Sequence, residues 1–282
     1  MKGIRVDISG EDTNNSESVQ TNMPGSSIII DSVSHVYETR SGPLHAVENV
    51  SLQVREGEFL ALVGPSGSGK STLLHMIAGL LTQTEGTITA RGAEIDGPGS
   101  DRGMVFQSDT VFPWMTVEKN VMYGLGSLSS MSREHRKKAE DKVAHYLSKV
   151  DLLDHRKRYP KELSGGMRKR VELARAYVTD PDILLLDEPF GSLDALTREA
   201  MQLDLVKMAQ GEKSQTIVLV THDIEEAIFL ADRVVVMTPR PARVDSEFEV
   251  PFSRPRDPGV IASQEFQRLR YEIRSRLEVD VV

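Results

Sequence analysis

Gly64-Pro65-Ser66-Gly67-Ser68-Gly69-Lys70-Ser71 fits the pattern Gly-x-x-x-x-Gly-Lys-[Ser/Thr], and its flanks decide how the rest of the chain is read. Immediately before it, Phe59-Leu60-Ala61-Leu62-Val63 is an unbroken apolar run of the length expected for a buried strand. After it, Leu73, Leu74, Ile77, Ala78 and Leu81 recur at helical spacing. Strand, glycine loop and helix, in that order, separate a phosphate-binding loop from a glycine-rich turn that matches by accident.

The residue types fit the chemistry. Glycines without a Cβ let successive backbone N–H groups curl into a nest that donates to anionic oxygens, and the helix opening near Lys70 adds the positive end of its dipole. Lys70 can reach the β- and γ-phosphates of a triphosphate as a point charge, and the Ser71 hydroxyl is placed to ligate Mg²⁺. A dinucleotide loop fits poorly, because a Gly-x-Gly-x-x-Gly register begun at Gly67 puts Thr72 where a glycine is needed.

Composition narrows the class. The 282 residues, 39% of them hydrophobic, can form one large domain with appendages. No run approaches the roughly 20 apolar residues needed to span a bilayer. Met1-Lys2-Gly3-Ile4-Arg5 leads into polar residues, so no secretory signal is expected. Cysteine is absent, which removes disulfides and thiolate metal sites and accords with a cytosolic protein. A net charge of −8 argues against nucleic acid as a partner held by a broad basic surface. The basic clusters Arg133 to Lys138, Arg156-Lys157-Arg158 and Arg168-Lys169-Arg170 have acids beside them and read as solvated helix faces.

Residues 1–26 are polar and poor in large apolar side chains, and read as a disordered tail. From Ile28 to Val54 the pattern is strand-like, interrupted by a turn at Thr39-Arg40-Ser41-Gly42-Pro43; Tyr37, just before it, is either a base-stacking ring or a packed strand-end residue. Gly86 to Gly103 reads as a small antiparallel excursion, and Met104-Val105-Phe106 as another buried strand, ending in Gln107. A helical character then sets in, with Val143, Tyr146, Leu147 and Val150 on one face. Leu163-Ser164-Gly165-Gly166 opens a further helix, with Ser164 as N-cap and the glycines exposing backbone donors, a second anion-binding element. Ile183-Leu184-Leu185-Leu186 is fully apolar, hence central in a covered sheet, and ends in Asp187-Glu188. Thr216 to Val220 repeats the design before Thr221-His222-Asp223, and Val234-Val235-Val236-Met237 gives one more strand. Alternation of strands with helices predicts a mainly parallel sheet covered on both faces. A proline-rich connector follows Pro251, then an amphipathic helix carrying Phe266, Leu269, Ile273 and Leu277.

Taken in order, the phosphate loop, Gln107, Leu163-Ser164-Gly165-Gly166, Asp187-Glu188 and His222 resemble the ATP-binding subunit of an ABC transporter, over roughly residues 28 to 245. Asp96-Gly97-Pro98-Gly99, Phe112-Pro113-Trp114, Ser164 to Met167, Asp187 to Gly191 and Met237-Thr238-Pro239-Arg240-Pro241 look like the importer branch for nitrate, sulfonates and taurine. The resemblance implies an α/β P-loop NTPase of ABC type, a mainly parallel sheet core with an antiparallel β subdomain and an inserted helical subdomain. The division is a tail at 1–26, an ATPase domain at 27–250 with its helical subdomain at about 116–178, and the connector and helix at 251–282.

It further implies two copies clamping two ATP molecules head to tail, each site joining one copy's phosphate loop to the other's Ser164-Gly165-Gly166. In this reading Gly64, Pro65, Ser66, Gly67, Ser68, Gly69, Lys70, Ser71 and Thr72 hold the nucleotide and Tyr37 stacks on adenine. Ser71, Asp187 and Gln107 attend Mg²⁺, Glu188 polarises the attacking water, and His222 contacts the γ-phosphate. Asp194 reads either as an interface residue or as a helix N-cap, and His75, His135 and His155 as surface or packing residues. Met167 departs from the glutamine common in the wider family, which leaves backbone donors but no side-chain amide at that point. The implied partners are a membrane permease pair and, indirectly, a solute-binding protein, placing the subunit peripherally on the cytoplasmic face of the cell membrane. Phe112-Pro113-Trp114 is the candidate groove for the permease, against a packed core tryptophan. Rival readings are a soluble ABC-type ATPase acting on a macromolecular complex, and a non-catalytic nucleotide-binding module. The solute itself is not legible in these residues.

Overall fold

The computed structural model describes residues 25–126, 132–209 and 215–279, so nearly all of the expected tail lies outside the described residues. Two sheets organise the chain. The larger contains β3 (Phe59–Val63), β6 (Arg102–Val105), β7 (Ile183–Asp187), β8 (Thr216–Thr221), β9 (Arg233–Met237) and β10 (Val244–Glu249), in the order β10-β9-β3-β8-β7-β6. All neighbours in it are parallel except β10, which runs antiparallel to β9. The smaller sheet is antiparallel, with β1 (Ser26–Thr39), β2 (Gly42–Arg55), β4 (Glu85–Ala90) and β5 (Ala93–Glu94) in the order β2-β1-β4-β5.

The continuous apolar strands have a simple cause. Successive side chains point to opposite faces of a sheet, and here both faces are covered. Phe59, Ala61, Val63, Leu184, Leu186, Ile217 and Leu219 join one cluster, with α4 (Gly165–Tyr177), α5 (Ala195–Ala209), α6 (Ile224–Leu230) and α7 (Gln264–Val279). Leu60, Leu62, Leu185, Val218 and Val220 join the other, with α1 (Lys70–Ile77) and the smaller sheet. The C-terminal helix docks through Phe266 and Ile273, both fully buried. Two further helices, α2 (Val117–Tyr123) and α3 (Arg133–Lys149), pack on α4.

Three expectations need adjustment. The strand β10 was not anticipated, because Val244-Asp245-Ser246-Glu247-Phe248-Glu249 is mostly polar and half exposed; only pairing with β9 makes it a strand, and its acids keep the sheet edge from templating further strands. Met104 is half-buried rather than buried, since its strand lies at the opposite edge. The first helix ends at Ile77, and Leu81 packs beyond it.

Candidate functional site

The parallel sheet places the site. Strands β3, β8, β7 and β6 are neighbours in near-level register, Val63 opposite Thr221, Asp187 opposite Val220 and Val105 opposite Leu186. Whatever follows their carboxyl ends is therefore gathered in one crevice, where open α/β sheets bind ligands. The glycine loop follows β3, Gln107 follows β6 closely, Glu188 follows β7 and His222 follows β8.

The loop needs its glycines for two reasons. Gly67 and Gly69 have positive φ, +72° and +116°. In addition, a Cβ on Gly69 would lie 2.3 Å from the Ala46 carbonyl oxygen, and one on Gly64 2.8 Å from that of Met237. The loop is thus seated against β2 and the end of β9, with no space for side chains. Gly69 is the N-cap of α1 and contributes no side-chain cap, so the first N–H groups of that helix are left to face an anion.

Lys70 is almost fully buried, its Nζ donating to the Gly64 and Pro65 carbonyls at 2.9 and 2.8 Å and to Ser68 Oγ at 3.3 Å. Burial lowers its pKa, against the opposing pull of Glu188 and Asp187. Ser71 Oγ donates to Asp187 Oδ1 at 2.7 Å, which joins the start of α1 to the end of β7. Glu188 sits in left-handed backbone, φ 41°, an uncommon state for a residue with a Cβ. Its Oε2 receives Gln107 Nε2 at 3.2 Å and lies 3.2 Å from His222 Nδ1.

A cavity of about 290 Å³ runs along these groups, from Tyr37, Leu44 and Ala46 past Ser66 to Thr72, reaching Gln107, Glu188 and Arg240. Tyr37 is no core residue: it is 36% exposed, its hydroxyl is 3.2 Å from Thr72 Oγ1, and its ring meets His35 edge-on. Gly64 and Pro65 serve behind the cavity, through the carbonyls that hold Lys70. Ser164, Gly165 and Gly166 do not line it. Ser164 caps α4 by accepting from Met167 N at 3.2 Å; Ser164 and Gly165 are exposed, while Gly166 is packed so that a Cβ would stand 2.5 Å from Thr197 Cγ2. Among the described residues no group of three or more His, Cys, Asp or Glu could hold a metal ion unaided. A hydroxyl and a carboxylate 2.7 Å apart beside a phosphate loop do suit Mg²⁺, which takes one or two protein carboxylates and completes its shell with phosphate oxygens and water.

One position differs from its sequence reading, and two others make contacts that the reading left unnamed. Lys169, expected on a solvated face, is buried: its Nζ donates to the Phe106 and Gln107 carbonyls at 2.6 and 3.3 Å and stands 2.9 Å from Glu172 Oε2. Glu172 in turn accepts from Thr110 N and from Thr110 Oγ1, and Arg175 donates to the Thr110 carbonyl, so α4 grips the whole segment after β6. Lysine and glutamate three apart read as a surface pair, and only the chain that crosses over α4 buries them. His75, treated as surface or packing, places Nε2 3.6 Å from Asp187 Oδ2. Arg240, quoted above only within the Met237-to-Pro241 stretch, enters the cavity from the β9–β10 connection. Asp194 caps α5, accepting from Thr197 N at 3.1 Å, and Trp114 is 69% exposed rather than packed in the core.

Fold and site together define a P-loop nucleotide-binding protein with a two-sheet core. Residues 47–191 match the ABC transporter family, and the chain belongs to it, as an ATP-binding, ATP-hydrolysing subunit. It is 45% identical over 221 residues to the taurine import ATP-binding protein TauB of Jannaschia sp., covering 78% of this chain and 80% of the relative. It is 44% identical over 231 residues to the bicarbonate transport ATP-binding protein CmpD of Synechocystis sp., covering 82% and 81%. A dimeric ATP-binding cassette solved in a post-hydrolysis state with ADP and Pi superposes with a TM-score of 0.69 at 30% identity, over 80% of this chain and 100% of that one.

Proposed function

We propose that this chain drives the import of a small anion or sulfonate, working as a head-to-tail pair beneath a membrane permease supplied by a solute-binding protein. The observation that carries the paired arrangement is the separation of the two anion-binding elements: the phosphate loop lines the chain's own cavity, whereas Ser164 and Gly165 are exposed outside it. A second copy facing the first brings its Ser164-Gly165-Gly166 to the open side of the nucleotide. Similarity to taurine and bicarbonate import subunits supports the solute class.

In this mechanism Lys70 and the loop N–H groups bind and orient the polyphosphate, and Tyr37 presents its ring to the base. Ser71, Asp187 and Gln107 would hold Mg²⁺, which neutralises charge on the phosphates when bound. Glu188 takes up a proton from the attacking water, held in position by Gln107 and His222, both within 3.2 Å of Oε2. The N–H groups opening α4 of the second copy stabilise charge on the transferring phosphoryl group. Phe112, Trp114 and Tyr123 form an aromatic group just past Gln107, ring centroids 5.5 and 4.7 Å from Phe112, with Trp114 and Tyr123 largely exposed; this is the surface we assign to the permease. Among the described residues no helix is long and apolar enough to cross a membrane, so this docking would be what holds the subunit at the cytoplasmic face.

The test is Glu188→Gln. ATP binding is expected to persist while turnover falls by about 10²–10⁴-fold, the usual contribution of a general base, and ATP should trap a dimer in light scattering. Normal hydrolysis by that variant, or full activity in an isolated monomer, refutes the reading. Growth of a deletion strain on individual nitrogen and sulfur sources identifies the solute.

A further inference from the structure

The connection between β9 and β10 is braced more firmly than a surface turn requires. Thr238 N donates to the Arg243 carbonyl at 2.9 Å, while Thr238 Oγ1 donates to the Pro241 carbonyl and accepts from Arg243 N, both at 3.0 Å. Ala242 is tied to β2 on both sides, its N–H to the Ala46 carbonyl at 2.9 Å and its carbonyl to Glu48 N at 3.0 Å. Between these anchors Arg240 extends over the phosphate loop, Nε and Nη2 donating to the Gly67 carbonyl at 3.0 and 2.7 Å. A Cβ on Gly67 would stand 3.2 Å from Arg240 Nη2.

Arg240 and Lys70 are the two cations lining the cavity. They are placed differently. Lys70 lies beneath the loop with its ammonium engaged by three loop oxygens, whereas Arg240 is exposed at the rim. A guanidinium carries five N–H donors and no acceptor, and those to Gly67 account for two. The remaining three belong to a fixed fork suited to phosphate oxygens.

We infer that Arg240 is a nucleotide-binding residue, which braces Gly67 and presents a second fixed positive charge to the polyphosphate from the solvent side of the loop. This rests on the nucleotide reading of the same site. It makes the β9–β10 hairpin, whose second strand was unrecognised in sequence, part of the binding machinery.

Arg240→Gln keeps an N–H donor for Gly67 without the charge; Arg240→Ala removes both; Arg240→Lys keeps the charge. With ADP and Mg²⁺ as the probe in calorimetric titration, Gln and Ala variants should bind roughly tenfold more weakly, as for loss of one charge-assisted contact. Their affinity should depend less on salt than that of the parent, and the Lys variant should retain most of the affinity. Unchanged melting without nucleotide establishes that the variants are folded. Parent-like affinity and salt dependence in Arg240→Gln overturns the inference, whether or not Arg240→Ala is weak, since the charge is then unused. If the parent itself bound no ADP, or Lys70→Ala bound it equally well, the nucleotide reading would fail along with it.

Discussion

Replacing Lys169 by methionine gives the most quantitative test of the interior of this protein. The Lys169 and Glu172 side chains are 2% and 1% exposed and 2.9 Å apart, so the substitution leaves a buried carboxylate without its paired ammonium, with Arg175 the cation that still acts on it. Breaking a buried pair from one side costs about 3–5 kcal/mol. At about 2–4 °C per kcal/mol for a large domain, Tm should fall by roughly 6–20 °C. Adding Glu172→Gln removes the orphaned charge while keeping an acceptor for Thr110 N, and should recover more than half of the loss. Because Lys169 holds the Phe106 and Gln107 carbonyls, the single variant should also lose turnover while its ATP affinity stays close to that of the parent. Differential scanning calorimetry and steady-state kinetics supply both readouts. A single variant melting within about 2 °C of the parent, or a double variant no better than the single, refutes the argument that this pair is desolvated and structural.

Other consequences are equally open to measurement. Burial, reinforced by Asp223 and partly offset by Thr221, Arg198 and Gln202, pushes Glu226 up from 4.5 to about 8. The folded chain therefore holds a proton that the unfolded chain releases between those values, and stability falls as pH rises through that window and is level above it. Glu226→Gln should flatten this slope in melting curves across the window; an unchanged slope assigns it to other groups. Gly69→Ala forces a Cβ to 2.3 Å from the Ala46 carbonyl oxygen at φ +116°, so it should weaken ADP binding by more than tenfold and cost about 1–3 kcal/mol of stability, and wild-type affinity would show the loop less tightly seated than described.

The sheet and the phosphate loop were readable in sequence because their causes are local. A strand covered on both faces must be apolar at every position, as Ile183 to Leu186 and Ile217 to Val220 are, and a nest of backbone donors needs glycine at fixed spacing. The residues after such strands could be named as site candidates by the same logic, since parallel strands deliver their carboxyl ends to one edge. Lys169 was misread because burial depends on what crosses above a helix; α4 carries a polar face that the segment from Phe106 to Thr110 happens to cover. Nothing within four residues of Lys169 announces that cover.

The amino-acid sequence alone thus determined most of the element types and the phosphate loop, which rest on patterns spanning a few residues, and the family likeness, which rests on the order of several such patterns. Only the tertiary structure decided which polar groups meet: Ser71 with Asp187, Glu188 with Gln107 and His222, and Arg240 with Gly67, pairs separated by 34 to 173 positions. It also made β10 a strand by giving it β9, and left Ser164 and Gly165 exposed outside the chain's own cavity. The physical reason is the same in each case. Backbone conformation and burial pattern are set by near neighbours, whereas a hydrogen bond between distant residues exists only after the sheet order has brought them together.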